Sequence, residues 1–145
     1  PFTGQNFGAG KINRVKSALK ISELFSLCWG VFMLLAFLVF RRNIAGMFTK
    51  DPVVLKYVMT YMLIIGLSFP AIGGSIMCVN VINGLQKPIR STVLNFMRTI
   101  VMLIPAVWTG GKIGDVTGIF TAISATSITA FFIYHATAKI TMEKA

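Results

Sequence analysis

Runs of about 20 mostly apolar residues constrain this sequence more than any other feature, because a segment of that length crosses the hydrocarbon core of a bilayer as an α-helix. The first run, ISELFSLCWGVFMLLAFLVF, covers residues 21–40. Further runs cover about residues 54–84, 91–108 and 116–138. They are too long for strands and lack an alternation of polar and apolar residues. The sequence therefore predicts an all-α integral membrane fold with four transmembrane helices, preceded by a short N-terminal helix stub.

The composition argues against the usual soluble classes. Of the 145 residues, 55% are hydrophobic and only 12% are charged, whereas a soluble domain carries about 25% charged residues. A net charge of +10 would suggest nucleic-acid binding in a soluble protein. Here the basic residues cluster between the apolar runs, as they do in the loops of membrane proteins. We expect the lipid bilayer, and no nucleic acid, as the partner.

Lysine and arginine are divided unequally between the two sets of alternating loops. The first set carries eight of them: Lys11, Arg14, Lys16, Lys20, Lys87, Arg90, Lys139 and Lys144. The second set carries five: Arg41, Arg42, Lys50, Lys56 and Lys112. Since cytoplasmic loops are enriched in these residues, we expect a multi-pass protein of the inner (plasma) membrane with a cytoplasmic C-terminus. The opening residues PFTGQNFGAG contain no Met and no signal-peptide pattern, so we expect a fragment of a longer protein.

The second run carries a polar stripe. At about 100° per residue, Tyr61, Ser68 and Ser75 share one face of the helix, and glycines occupy the opposite face. The stripe predicts either the wall of a water-filled cavity or hydroxyl groups that bond their own backbone and hold helices together. Pro70 lies between the two serines and predicts a kink.

Four further polar residues lie within or beside the runs. Asn80 and Asn83 precede a turn, where amides either contact an ion or a substrate or complete a helix end. Arg98, inside the third run, predicts either a bound carboxylate or anionic lipid, or a side chain that reaches back to the membrane surface. Glu23 is the only carboxylate inside a run, and it is either a coupling group or the ion-pair partner of Lys20.

No residue pattern indicates catalysis or a metal centre. The sequence contains no Ser/His/Asp set, no paired carboxylates and no phosphate-binding loop. Cys28 and Cys78 lack the spacing of metal ligands, and the single His135 argues against a His-based metal cluster. We expect a protein that is not an enzyme and has no cofactor or metal.

Three segments, taken in order, resemble the multidrug and toxic compound extrusion (MATE) transporters. PFTGQNFGAGKINRVKSAL is similar to the end of a helix and the cytoplasmic loop after it. RRNIAGMFTKDPVVLKYVMTYM is similar to an extracellular connection, and VNVINGLQKPIRSTVLNFMR to a glycine-containing loop followed by a helix with an arginine. The resemblance implies that residues 1–145 are the C-terminal part of the C-lobe of a twelve-helix, two-lobe transporter, with the end of helix 8 and helices 9 to 12. It also implies a missing N-terminal lobe.

The resemblance implies a secondary active multidrug exporter, which exchanges small organic, often cationic, compounds for H⁺ or Na⁺. The NorM-like branch of the family carries an Asp near the position of Ile72, where this chain has no carboxylate. The chain thus resembles the DinF-like branch more closely, whose coupling Asp lies in the N-terminal lobe. Two alternatives stay open, namely a flippase for lipid-linked saccharides from the same superfamily and a small structural subunit of a membrane complex.

Overall fold

The computed structural model describes residues 1–144, which are almost entirely helical and include no strand. A short first helix is followed by two long helices and then by a third helical stretch, which contains one π-helical segment. The elements are α1 (Phe2–Gly8), α2 (Ile12–Phe48), α3 (Pro52–Gly84), α4 (Pro88–Phe96), the π-helical segment Met97–Leu103 and α5 (Ile104–Glu143). The predicted all-α membrane class and the N-terminal helix stub agree with these elements.

The helix ends follow from local chemistry. α2 extends beyond the predicted apolar run at both ends, because neither its basic flanks nor Gly46 interrupts a helix that continues to Phe48. α3 begins at Pro52, which fits the first turn of a helix because its missing amide would have no partner there. Asp51 caps this helix, and its carboxylate accepts hydrogen bonds from the amides of Val53 at 2.8 Å and Val54 at 3.4 Å.

The third and fourth predicted spans follow each other with only a two-residue break between them. Three helical stretches are long and apolar enough to cross a membrane, one fewer than the four predicted runs, and the last of them, Pro88–Glu143, contains both the third and the fourth run. At 1.5 Å per residue, these 56 residues would form a straight rod of about 84 Å, more than twice the roughly 30 Å hydrocarbon core. Instead the stretch folds back at Gly114 and at Asp115, whose φ is +50°. Helical geometry persists through the glycines where the third run was expected to end, and the break at Gly114 and Asp115 divides the last stretch into two antiparallel arms.

The two arms of this hairpin pack closely through glycine. A Cβ atom on Gly118 would lie 1.9 Å from the carbonyl oxygen of Gly110, so only a residue without a side chain allows this approach. The second arm also packs against the π-helical segment. The chain therefore has four antiparallel arms, as expected from the apolar runs, although two of them belong to one helical stretch.

The central helix is α3, which packs against α2 on one side and α5 on the other. Small residues mark the closest approaches: Gly30 of α2 lies against Pro70, and Gly74 of α3 lies against Phe131 of α5. Such contacts replace the hydrophobic effect between helices in a membrane, where lipid is as apolar as the protein interior.

One end of the bundle gathers the N-terminal stub, the turn after α3 and the C-terminal end of α5. Val15, Ile82, Leu85 and Ala138 are fully buried there in one apolar cluster. The guanidinium of Arg90 donates a hydrogen bond to the Thr141 hydroxyl at 3.0 Å across this end. The loops that carry the eight basic residues thus lie together, and their location in the cytoplasm stays a prediction.

Candidate functional site

The polar stripe of α3 does not form one continuous polar surface. Ser68 is fully buried and Ser75 is 4% exposed. Their hydroxyls donate hydrogen bonds to the carbonyls of Ile65 and Ala71 in their own helix, each at 2.8 Å. Tyr61 is 45% exposed. Within residues 1–144 the two serines are therefore packed against neighbouring helices, and a role in a cavity wall of the whole transporter stays a prediction.

Pro70 lines a groove of about 730 Å³ between α2, α3 and α5. This volume lies in the range of small-molecule sites, about 300–1,000 Å³. Leu67 and Phe131 contribute to its apolar wall, and Glu23 lies in its lining too. The residues of α3 remain helical through Pro70. Since proline has no amide hydrogen, the carbonyl four residues earlier loses its usual helical partner.

The two asparagines lie at the end of α3 and have different surroundings. Asn80 lines a second depression, of about 640 Å³, beside α1 and α2, where Arg14 is also exposed. The Asn83 side-chain oxygen accepts a hydrogen bond from the hydroxyl of Ser91. Asn83 therefore ties the end of α3 to the start of α4, whereas the amide of Asn80 lies beside a space that a ligand could enter.

Arg98 lies in the π-helical segment, between α4 and α5. Its guanidinium donates a hydrogen bond to the Ser127 hydroxyl at 3.3 Å. One turn before Arg98, the side-chain oxygen of Asn95 accepts a hydrogen bond from the Tyr134 hydroxyl at 2.9 Å. No carboxylate of residues 1–144 forms an ion pair with Arg98. The positive charge is thus held by neutral groups at a π-helical distortion, a feature that is frequent at functional sites.

The structure also assembles a cluster that the sequence analysis missed. The Glu23 carboxylate lies 2.6 Å from Nδ1 of His135, and the Cys78 thiol donates a hydrogen bond to the same carboxylate oxygen at 3.3 Å. The expected ion pair with Lys20 is absent from the part of the chain that is described. Helix spacing reveals neighbours on one helix only, whereas this cluster joins α2, α3 and α5.

One signal in the sequence could have found part of this cluster. Glu23 is the only acid inside an apolar run and His135 is the only histidine of the chain. Both lie near run ends that the alternating topology brings to the same side of the membrane. The single histidine and the spacing of the two cysteines both predict no metal centre, but neither pattern addresses a mixed set of one histidine, one cysteine and one glutamate from three helices.

The comparison with known proteins agrees with this architecture. The family model described as MatE matches residues 1–109. A relative named FAD transporter, from Shewanella oneidensis, is 30% identical over 128 residues, which are 88% of this chain and 28% of the relative. The crystal structure of the Vibrio cholerae MATE transporter VcmN in the bent form superposes with a TM-score of 0.94 at 22% identity, over 99% of this chain and 33% of that chain.

These matches extend over most of this chain but only part of its relatives. The chain spans about a third or less of the length of either protein. The likeness to VcmN shows a shared fold, and the family model covers three quarters of the sequence. The helical membrane architecture and the family match lead to one conclusion: the chain belongs to the MatE family of membrane transporters, which are not enzymes.

Proposed function

We propose that this chain forms the last part of the C-terminal lobe of a secondary active exporter of small organic, often cationic, compounds, driven by H⁺ or Na⁺ antiport. The observation that carries the proposal is the near-complete superposition of its four antiparallel arms on one third of a MATE transporter chain. A transporter that alternates access works by moving two repeats around a site between them. On this proposal, the chain supplies one wall of that site and needs the missing N-terminal lobe to complete it.

We further propose that the carboxylate that couples transport to H⁺ or Na⁺ lies in that N-terminal lobe, as in the DinF-like branch. Three of the four carboxylates of the chain lie at helix ends or at the hairpin turn, namely Asp51, Asp115 and Glu143. The fourth, Glu23, is engaged by His135. The apolar groove beside Pro70 supports a role in binding organic compounds, because such sites are lined mainly by apolar and aromatic side chains.

A second candidate substrate class is an anionic dinucleotide. Two observations favour it: the Shewanella relative is named FAD transporter, and Arg98 is a base inside the bundle with no carboxylate partner in residues 1–144. A guanidinium pairs well with the phosphates of such a molecule. The flippase and the structural subunit gain no comparable support.

Transport by reconstituted vesicles tests the proposal. The whole transporter that contains this chain is placed in liposomes, and gradients of H⁺ or Na⁺ are imposed separately. We expect gradient-driven movement of a fluorescent organic cation such as ethidium. Movement of FAD without ethidium would replace the first substrate class by the second, and no movement of either compound under either gradient would refute the exporter.

The chain by itself provides a test of the two-lobe requirement. Liposomes that contain only residues 1–145 should show no substrate-dependent H⁺ or Na⁺ flux, because half of the cleft is open. Flux from these residues alone, above that of empty liposomes, would show that a second lobe is unnecessary and would contradict this part of the proposal.

The orientation belongs to the same proposal, with the plasma (inner) membrane as the location and the C-terminus in the cytoplasm. The positive-inside bias supports it. Single cysteines at Lys16 and Lys87 should react with an impermeant reagent only from the cytoplasmic side, and cysteines at Lys50 and Lys112 only from outside. Labelling of the Lys50 and Lys87 positions from the same side would contradict it.

A further inference from the structure

Three side chains with metal-binding atoms converge where α2, α3 and α5 meet. Glu23, Cys78 and His135 each offer one ligand atom, and these atoms all lie within 4.8 Å of one another. Cys78 and His135 lie 55 and 112 positions after Glu23 in the sequence, so helix packing brings the three residues together. None of the three belongs to the polar stripe of α3, although Glu23 also lines the groove beside Pro70.

The chemistry of the set indicates a particular kind of ion. A thiolate, an imidazole and a carboxylate are the ligands that zinc uses in proteins, and three protein ligands with one open position form a common zinc arrangement. Magnesium and calcium prefer oxygen ligands alone. Bonds of about 2.0–2.3 Å to a tetrahedral ion place ligand atoms roughly 3.3–3.6 Å apart. The Glu23 and His135 atoms, 2.6 Å apart, must therefore separate by about 0.7 Å around an ion, whereas a pair at the 4.8 Å limit must approach by roughly 1.3 Å.

We propose that Glu23, Cys78 and His135 bind one divalent metal ion of the zinc class. The Cys78 sulfur, the His135 Nδ1 and a Glu23 oxygen each form one bond to the ion, and the thiol proton is released to water as the sulfur binds. Water or an anion completes the fourth position. This proposal is independent of the transport proposal, because metal binding is measured on purified protein without substrate or gradient.

The surroundings provide both an entry path and an opposing charge. The His135 side chain is 45% exposed and the Glu23 side chain 16% exposed, and both line a depression of about 340 Å³ at the bundle end. An ion can therefore reach the ligands from one side, while Cys78 is fully buried behind them. Three lysines and one glutamate share the depression: Lys16, Lys20, Lys139 and Glu143. The lysines oppose a cation and favour an anion at the open position.

Cobalt absorption tests the proposal on the whole transporter, purified in detergent and treated with a chelator. Co²⁺ bound to a thiolate gives a charge-transfer band in the near ultraviolet. We expect this band in the parent protein, its loss in Cys78→Ala, and its displacement by added Zn²⁺. Glu23→Gln and His135→Gln should each weaken Co²⁺ binding at least as much as the loss of a second-shell partner does, about 10- to 100-fold.

The other cysteine is the matched control. Cys28 lies on α2, five residues from Glu23, and is exposed, so Cys28→Ala should keep the band unchanged. Because Cys78 is buried, Cys78→Ser is measured beside Cys78→Ala, and size-exclusion profiles must match the parent for one of the two. Three results would overturn the proposal. They are the absence of the band from the parent, its persistence at full amplitude in folded Cys78→Ala or Cys78→Ser, and its loss in Cys28→Ala.

Discussion

Replacement of Gly30 by alanine should weaken the contact between α2 and α3 at Pro70. A Cβ atom on Gly30 would lie 2.5 Å from the nitrogen and 2.6 Å from both Cδ and Cγ of Pro70. Packed carbon atoms prefer separations of about 3.5–4.0 Å, so the two helices must move apart by roughly 1 Å at this point. The proline ring is locked to its backbone and cannot rotate out of the way.

The cost follows from two opposing effects. Overpacking of a well-packed interior costs about 1–3 kcal/mol. Alanine stabilises a helix by about 1 kcal/mol relative to glycine, so we expect a net loss of up to about 2 kcal/mol. Gly46 is the matched control, because it lies in the same helix and a Cβ there would meet no atom within 4 Å. Gly46→Ala should be neutral or stabilising.

Thermal stability in detergent, measured as the monodisperse fraction that remains after heating, checks this prediction. We expect Gly30→Ala to denature at a lower temperature than the parent, and Gly46→Ala at the same or a higher temperature. In a Pro70→Ala background, the penalty of Gly30→Ala should shrink, because two of the three clashing atoms are gone. Equal stability of Gly30→Ala and Gly46→Ala, or a penalty that is unchanged without the ring, would refute the reasoning.

Three further predictions rest on other contacts. Ser68→Leu should reduce the yield of folded protein, because Ser68 is fully buried, whereas Leu67→Ala, at a 59% exposed position, should reduce the yield less. A normal yield of Ser68→Leu together with lost export would instead indicate that Ser68 lines a cavity. Gly118→Ala should separate the hairpin arms and lower the melting temperature, unlike Gly114→Ala, whose Cβ would meet nothing within 4 Å. Equal melting temperatures of the two variants would contradict the close approach of Gly118 to Gly110. Arg98→Met should weaken export of FAD more than export of ethidium if anions are carried, and equal effects on both in a transport assay would remove Arg98 from substrate selection.

The apolar runs determined most of the fold by themselves. Run length predicted the membrane helices. The start of α3 is also a local feature, because the Asp51 cap and the missing amide of Pro52 act within one turn of backbone. The basic residues predicted which loops lie together. Such features depend on neighbours in sequence and on the bilayer thickness, so the chain order is sufficient to find them.

Only the tertiary structure decided which faces meet. Period along one helix grouped Ser68 with Ser75 but could not show that both are buried between helices. It paired Glu23 with Lys20, whereas packing brings Glu23 to His135 and Cys78. The physical reason is that lipid is as apolar as the interior of the bundle, so hydrophobic pattern does not mark the inner face. The partners are selected by close fits, such as Gly30 against Pro70, that exist only once the helices have packed.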